Sequence, residues 1–326
     1  MNTFLYGADV LELREEHVET SEESARVIVV TSGKGGVGKT TTTANLGASL
    51  ARLGYETCLI DADIGLNNLD LLLGLEGRVN YSAFDVLRMN VTIEQALVRD
   101  KRFPNLSLLP IATTRQQFEL TQRDMLLFIQ MLQERDFQFI VIDCPAGIDD
   151  GFSNAIVAAD EAIVVTTPEI TAIRDADRVG ALLYRNNITS TRLLVNRVRP
   201  DMVKKNNMMS VADVQQMLAL PLIGVIPEDR EVITSTNRGI PLIVRNKLSV
   251  AGLGFENAAR RIAGSEAPVM ALDDLTSWLK FMKFLSSKVI FTDIDVEKQN
   301  FEETDFELTL EEGASFDEEE DERDCA

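Results

Sequence analysis

Three groups of residues in this 326-residue chain have types and spacings suited to chemistry on phosphates. The first is Ser32-Gly33-Lys34-Gly35-Gly36-Val37-Gly38-Lys39-Thr40-Thr41, where Gly33, four residues and then Gly38-Lys39-Thr40 match a phosphate-binding loop in full. Glycines let backbone N–H groups turn toward a β-phosphate, and a following helix N-terminus adds partial positive charge. Lys39 then reaches the β- and γ-phosphates, and the Thr40 hydroxyl ligates Mg²⁺. The second group is Asp61-Ala62-Asp63-Ile64-Gly65, at the end of an apolar run. Asp63 is the candidate for placing an attacking water or supporting Mg²⁺; the plainer reading is a helix-cap or turn aspartate. The third is Phe137-Gln138-Phe139-Ile140-Val141-Ile142-Asp143, an apolar run ending in an acid, which has the form of a Walker B strand. Asp143 would hold Mg²⁺ through water. Cys144-Pro145-Ala146-Gly147 follows, a loop whose glycine amide is placed to sense a γ-phosphate.

Gly33, Gly35 and Gly38 also spell the glycine fingerprint of dinucleotide sites, with Asp61 or Asp63 where the ribose acid would stand. A dinucleotide pyrophosphate has no need of Lys39-Thr40, so ATP with Mg²⁺ is the expected ligand. Lys34 is an additional cation near the start of the loop, and it has two possible targets, its own phosphates or a partner's. Asn196-Arg197 and Pro227-Glu228 follow later apolar runs, where P-loop folds place purine contacts. Base contact and ordinary loop chemistry both fit them.

These groups need elements to hold them. Apolar runs predict strands at Val27–Val30, Thr57–Ile60, Leu106–Leu109, Phe137–Ile142, Ala162–Val165, Leu193–Val195 and Leu222–Ile226. Helical spacing predicts helices at Thr41–Leu53, Ser82–Leu87, Ile93–Val98, Leu120–Leu132, Ile170–Asn186, Val211–Leu218 and Ala251–Ile262. Alternation of this kind gives an α/β fold of the P-loop type, a mostly parallel sheet with helices on both faces.

The net charge is −20, and residues 291–326 carry −14 of it, leaving a mildly acidic body. A surface of that kind is not built for nucleic acid. Cys58, Cys144 and Cys325 make no framework and read as two core thiols and a tail thiol in a reducing compartment. No apolar run approaches the ~20 residues that span a bilayer. The expected division is an acidic leader over 1–25, unlike a signal or transit peptide, an ATPase domain over 26–266, an amphipathic helix over 267–290 and a disordered acidic tail over 291–326. Leu275, Trp278, Leu279, Phe281, Met282, Leu285 and Val289 fall on one arc of that helix, with Lys280 and Lys283 opposite. It fits a bilayer interface, or a last helix packed on the core.

Lys34 together with Gly38-Lys39-Thr40 resembles the deviant loop of the MinD/ParA ATPases. With Asp61-Ala62-Asp63-Ile64-Gly65-Leu66, Asp143-Cys144-Pro145-Ala146-Gly147 and Ile226-Pro227-Glu228-Asp229, the resemblance is to the MinD branch, from about Arg26 to Gly264. Asn67 departs from it, since an arginine commonly precedes the asparagine that Asn68 matches. The resemblance implies an ATPase whose homodimer forms with ATP, Lys34 reaching the partner's nucleotide. It also implies attachment to an anionic membrane through the C-terminal helix, and placement of a division site. A MinE-like activator and a MinC-like division-ring inhibitor, or its plastid equivalent, are the implied partners, with no specific nucleic acid. Val195-Asn196-Arg197-Val198-Arg199 and Asp143-Cys144-Pro145 resemble the plastid form, which implies the inner face of a plastid envelope or else of a bacterial membrane. The alternative is a ParA-like partition ATPase on nonspecific DNA. An iron–sulfur reductase of the same superfamily would need paired cysteines that this chain does not offer.

Overall fold

Strand runs such as Val27–Val30 and Ile140–Ile142 are apolar on both sides, and need a covering layer on each face. The structure, a computed structural model, describes residues 24–64, 68–112, 120–244 and 248–269. Strands β1 (Arg26–Thr31), β2 (Thr57–Asp61), β3 (Val98–Arg99), β4 (Leu106–Pro110), β5 (Phe139–Asp143), β6 (Glu161–Thr166), β7 (Ser190–Val198) and β8 (Leu222–Pro227) form one sheet. Its order is β3-β4-β2-β5-β1-β6-β7-β8, parallel throughout except for β3 against β4. The helices are α1 (Lys39–Arg52), α2 (Leu69–Leu72), α3 (Ala83–Leu87), α4 (Ile93–Ala96), α5 (Gln122–Gln133), α6 (Asp150–Ile156), α7 (Ile170–Arg185), α8 (Pro200–Lys204), α9 (Val211–Leu218), α10 (Arg230–Arg238) and α11 (Val250–Ile262).

Alternate strand residues point to two separate cores. Val27, Val29, Ile60, Ile140 and Ile142 pack with Phe128 of α5, Val179 of α7 and Val214 of α9. Ile28, Val30, Leu59 and Val141 pack with Leu46 and Leu50 of α1 and Phe255 of α11. Helix starts follow local chemistry. The Thr121 hydroxyl accepts from the Asp124 N–H, and the Asp124 carboxylate accepts from the Thr121 N–H, a reciprocal cap that Ser210 and Asp213 repeat.

Strand order is what makes a site. β5 lies between β2 and β1, and the register pairs Asp143 with Asp61 on one side and with Val30 on the other. The carboxyl ends of three central strands therefore converge, at a point where chain order reverses and α/β sheets bind ligands.

Some expected elements differ. The helix expected over Ile93–Val98 is one turn ending at Ala96; Leu97 is extended (φ −70°, ψ 125°), and Val98 pairs with Leu108 in an antiparallel edge. Burial of Val98 against the sheet outweighs another helical turn. Asn196 and Arg197 lie inside β7 rather than after it, at a register shift between Val195 and Val198. Arg197 is left-handed there (φ 54°), so the strand bulges and re-aims this pair. Helices α2, α6, α8 and α10 were not expected: the first two and α8 are seven residues or shorter, too short to show a period, and α10 is mostly polar, with no fully buried residue. Asn67, Cys325, the leader through residue 23 and the amphipathic and acidic segments from residue 270 onward lie outside the described residues.

Candidate nucleotide site

The loop from Ser32 to Gly38 joins β1 to α1. Gly38 is left-handed (φ 96°), and a Cβ there would lie 2.3 Å from Asn196 Nδ2. That nitrogen donates to the Val37 carbonyl at 2.8 Å, while Asn196 Oδ1 accepts from the Arg197 N–H. Asn196 thus braces the phosphate loop, and the exposed residue Arg197 lines the cavity. No side-chain cap closes the start of α1, which leaves its first N–H groups for a phosphate.

Lys39 and Asp143 form the polar centre. Their side chains are 7% and 1% exposed, and Lys39 Nζ lies 3.1 Å from Asp143 Oδ1. Thr43 Oγ1 donates to the same oxygen at 3.1 Å. Among the described residues Asp143 Oδ2 is buried without a hydrogen-bond partner. Burial raises the Asp143 carboxyl above its usual range, and the Lys39 charge and hydrogen bonds from Thr40, Lys39 and Thr43 oppose the rise. A buried carboxylate oxygen left without a partner is the group that a hydrated cation satisfies. Thr40, Asp143 and Asp63 therefore fit Mg²⁺. Among the described residues no group of three or more His, Cys, Asp and Glu side chains is arranged to hold a metal ion by itself.

Asp61 fastens the neighbouring loop. One carboxylate oxygen accepts from the Asp63 N–H at 3.2 Å and the other from the Leu69 N–H at 3.0 Å. Burial, with the adjacent Asp143 charge, pushes its pKa up to about 7. The cavity is about 730 Å³, a size suited to a nucleotide. Its lining brings together Gly35, Gly36, Gly38, Lys39, Thr40, Thr41 and Asp63, all expected from the sequence. Asn68, Leu71, Gly74, Glu76 and Thr236–Gly239 complete it; sequence reasoning missed Thr236–Gly239, which carry no motif.

Other expected site residues lie elsewhere. Gly33, Lys34 and Val37 do not line the cavity, and Asp143 and Asn196 lie behind its lining, bonded to Lys39 and to the loop. Gly33 is pressed on α7, where a Cβ would meet the Asp175 carbonyl at 2.3 Å. This packing carries Lys34 outward: Nζ lies 3.6 Å from Glu169 Oε2 and 3.3 Å from Thr171 Oγ1. Lys34 is therefore held on Glu169 and Thr171, outside the cavity lining. Pro227 pairs with Val198 at the sheet edge, and Glu228 lines a separate hollow of about 380 Å³ with Arg199, Asp201 and Arg230. The Gly147 N–H donates to the Ser32 carbonyl at 3.1 Å, fastening its loop to the phosphate loop. Cys58 and Cys144 are buried thiols, and burial pushes Cys144 up to about 12.

Residues 28–242 match the family model of the CobQ/CobB/MinD/ParA nucleotide binding domain. The chain is 60% identical over 264 residues to the putative septum site-determining protein MinD of Chlorella vulgaris, covering 81% of this chain and 93% of that one. The chain belongs to the MinD family. To the septum site-determining protein MinD of Synechocystis it is 57% identical, covering 75% and 92%. Among solved structures, MinD of Aquifex aeolicus aligns with a TM-score of 0.69 at 42% identity, over 76% of this chain and 100% of that one. MinD of Pyrococcus horikoshii, complexed with Mg-ADP, aligns with a TM-score of 0.65 at 31% identity, over 73% and 96%. A family of nucleotide-binding domains accounts for the phosphate loop and the open helix start, and the relatives named above come from a green alga and a cyanobacterium.

Proposed function

We propose that this chain is an Mg²⁺-dependent ATPase that forms a homodimer with ATP and places a division site from a membrane surface. The observation that carries the reading is the pairing of Lys39 with Asp143, its second oxygen unpartnered, at the mouth of a glycine loop. Loop amides and the α1 N-terminus bind the phosphates, and Lys39 turns from Asp143 to the β- and γ-phosphates. Bound Mg²⁺, held by Thr40 and, directly or through water, by Asp143 and Asp63, would neutralise phosphate charge. Asp63, steadied by Asp61, orients the attacking water. Lys34, held off its own cavity, reaches the partner's nucleotide, so hydrolysis waits for the dimer. Arg197 borders the base side, and Pro227 and Glu228 contact the purine if the neighbouring hollow receives it.

The reading extends to membrane and partners through family membership. MinD of Aquifex aeolicus has been solved in a MinC:MinD complex and aligns at 43% identity with a TM-score of 0.70, which supports a MinC-like partner here. A MinE-like activator and a C-terminal amphipathic anchor complete the scheme. Among the described residues no helix is long and apolar enough to cross a membrane. Phosphate release from Mg-ATP by the wild type, absent in Lys39→Ala, tests the enzyme. Co-sedimentation with anionic liposomes but not with DNA, only in ATP, tests the surface. Retention by DNA alone would favour the ParA-like partition reading.

A further inference from the structure

The cavity wall opposite the phosphate loop is built from the ends of two helices. α2 is capped by Leu73, with Gly74 turning after it, and α10 is capped by Gly239. Both glycines are left-handed (φ 60° and 61°), and their backbones touch. A Cβ at Gly74 would lie 2.6 Å from the Gly239 carbonyl oxygen, and one at Gly239 would lie 2.8 Å from Gly74 Cα. The last carbonyls of a helix have no partner within it and carry the negative end of its dipole. One guanidinium serves both ends. Arg102 Nη2 donates to the Leu73 carbonyl at 2.6 Å, and Nη1 donates to the Gly239 carbonyl at 3.3 Å. Nε and Nη2 also donate to the Asp100 carboxylate, at 3.0 and 2.5 Å, and the Asp100 side chain is wholly buried. The backbone N–H groups of Arg102 and Phe103 donate to the same carboxylate, so the turn that aims the guanidinium is itself fixed. Arg102 does not line the cavity; it stands behind the wall.

We propose that Arg102, aimed by Asp100, is a positioning residue for nucleotide turnover, and the proposal rests on the ATPase reading above. The chain of contacts is short. Arg102 holds the end of α2; the Leu69 N–H at its start is bonded to Asp61; Asp61 also holds the Asp63 N–H. Loss of the clamp lets the α2 wall shift, and Asp63 shifts with it. Phosphate affinity comes from Lys39, Thr40 and the loop amides, and none of the clamp's bonds involves them. Turnover and affinity should therefore separate.

The test uses the full chain with Mg-ATP, measuring the dissociation constant of a fluorescent ATP and phosphate release per bound nucleotide. Arg102→Gln and Gly74→Ala attack the clamp from opposite sides, and Arg102→Lys keeps its charge without the fork. In Arg102→Gln and Gly74→Ala, turnover per bound nucleotide should fall about 10-fold or more, because small misplacements cost heavily in rate. In Arg102→Gln, whose side chain does not line the cavity, affinity should change less than about threefold, the split expected when the lost effect acts in the transition state. Arg102→Lys should recover part of the rate. A merely structural role would lower the melting temperature and leave turnover per bound nucleotide at the wild-type value. That result in both variants overturns the proposal, as does affinity lost in step with rate in Arg102→Gln. If Arg102→Gln shows no cooperative melt, Gly74→Ala decides. If neither folds, the contact is a requirement of the fold and the proposal fails. A wild type that binds no ATP overturns the ATPase reading, and this proposal with it.

Discussion

The two walls of the nucleotide cavity are built on different principles. The phosphate wall rests on the three central strands, and its key groups, Lys39, Asp61 and Asp143, are buried and bonded to neighbours fixed by strand register. The far wall, Asn68–Glu76 with Thr236–Gly239, is made of helix ends and turns, joined by two touching glycines and one arginine. On the proposed reading, binding energy concentrates on the first wall, where amides and a cation would converge on one charge. The second wall contributes shape and the placement of Asp63. On the proposal above, affinity and rate should therefore be open to separate damage.

Lys39→Ala should break the phosphate wall with the largest effect. It deletes the charge that meets the β- and γ-phosphates, and binding should weaken on the order of 10- to 10²-fold, the equivalent of about 1.5–3 kcal/mol for a hydrogen bond to a charged group. It also leaves Asp143 buried without its cation, which costs roughly 3–5 kcal/mol of stability. Titration with a fluorescent ATP and chemical denaturation read the two effects. Nucleotide affinity equal to wild type would remove the loop from the account.

Asp63→Ala should separate the walls more cleanly. Turnover should drop about 10²-fold, within the range for a lost group that handles the reacting water, while binding and ATP-dependent dimers persist. Light scattering with ATP should show a long-lived dimer. Wild-type turnover would make Asp63 a turn residue and shift the site's work to Asp143.

The smallest effect concerns pH. Asp61 has a folded pKa raised from 3.8 to about 7, chiefly by burial. A raised carboxyl gives stability that is present below its unfolded pKa and lost as pH rises through the folded one. The contribution of Asp61 should therefore decline between about pH 4 and pH 7. Melting temperatures of the wild type and Asp61→Asn, measured without nucleotide across that window, should diverge in slope. Parallel curves would show that Asp61 does not titrate there.

The phosphate wall was legible in the sequence because its residues are contiguous or close an apolar strand run. Gly35, Gly36, Gly38–Thr41, Asp63 and Asp143 each announce themselves locally, and the alternation of runs predicts the parallel sheet. The far wall gives no such signal. Gly74, Arg102 and Gly239 are scattered along the chain, and only the fold brings them together. The bulge that places Asn196 against the loop was equally hidden, since an apolar run does not show where a strand slips register. Lys34 falls between the cases. Its presence was plain, but its outward aim depends on how closely Gly33 packs against α7.

Mixing two nearly inactive variants tests most directly the proposal that Lys34 completes the partner's site. Lys34→Ala should bind ATP yet turn over very little, and Asp63→Ala, at about 10²-fold below wild type, should do the same. In a mixed dimer the site that keeps Asp63 receives Lys34 from the Asp63→Ala partner, while the other site has neither. Random pairing of subunits should therefore restore roughly a quarter of wild-type phosphate release, from half the dimers with one good site each. No recovery in a mixture whose mixed dimers are confirmed by mass would contradict the account and place Lys34 on its own nucleotide.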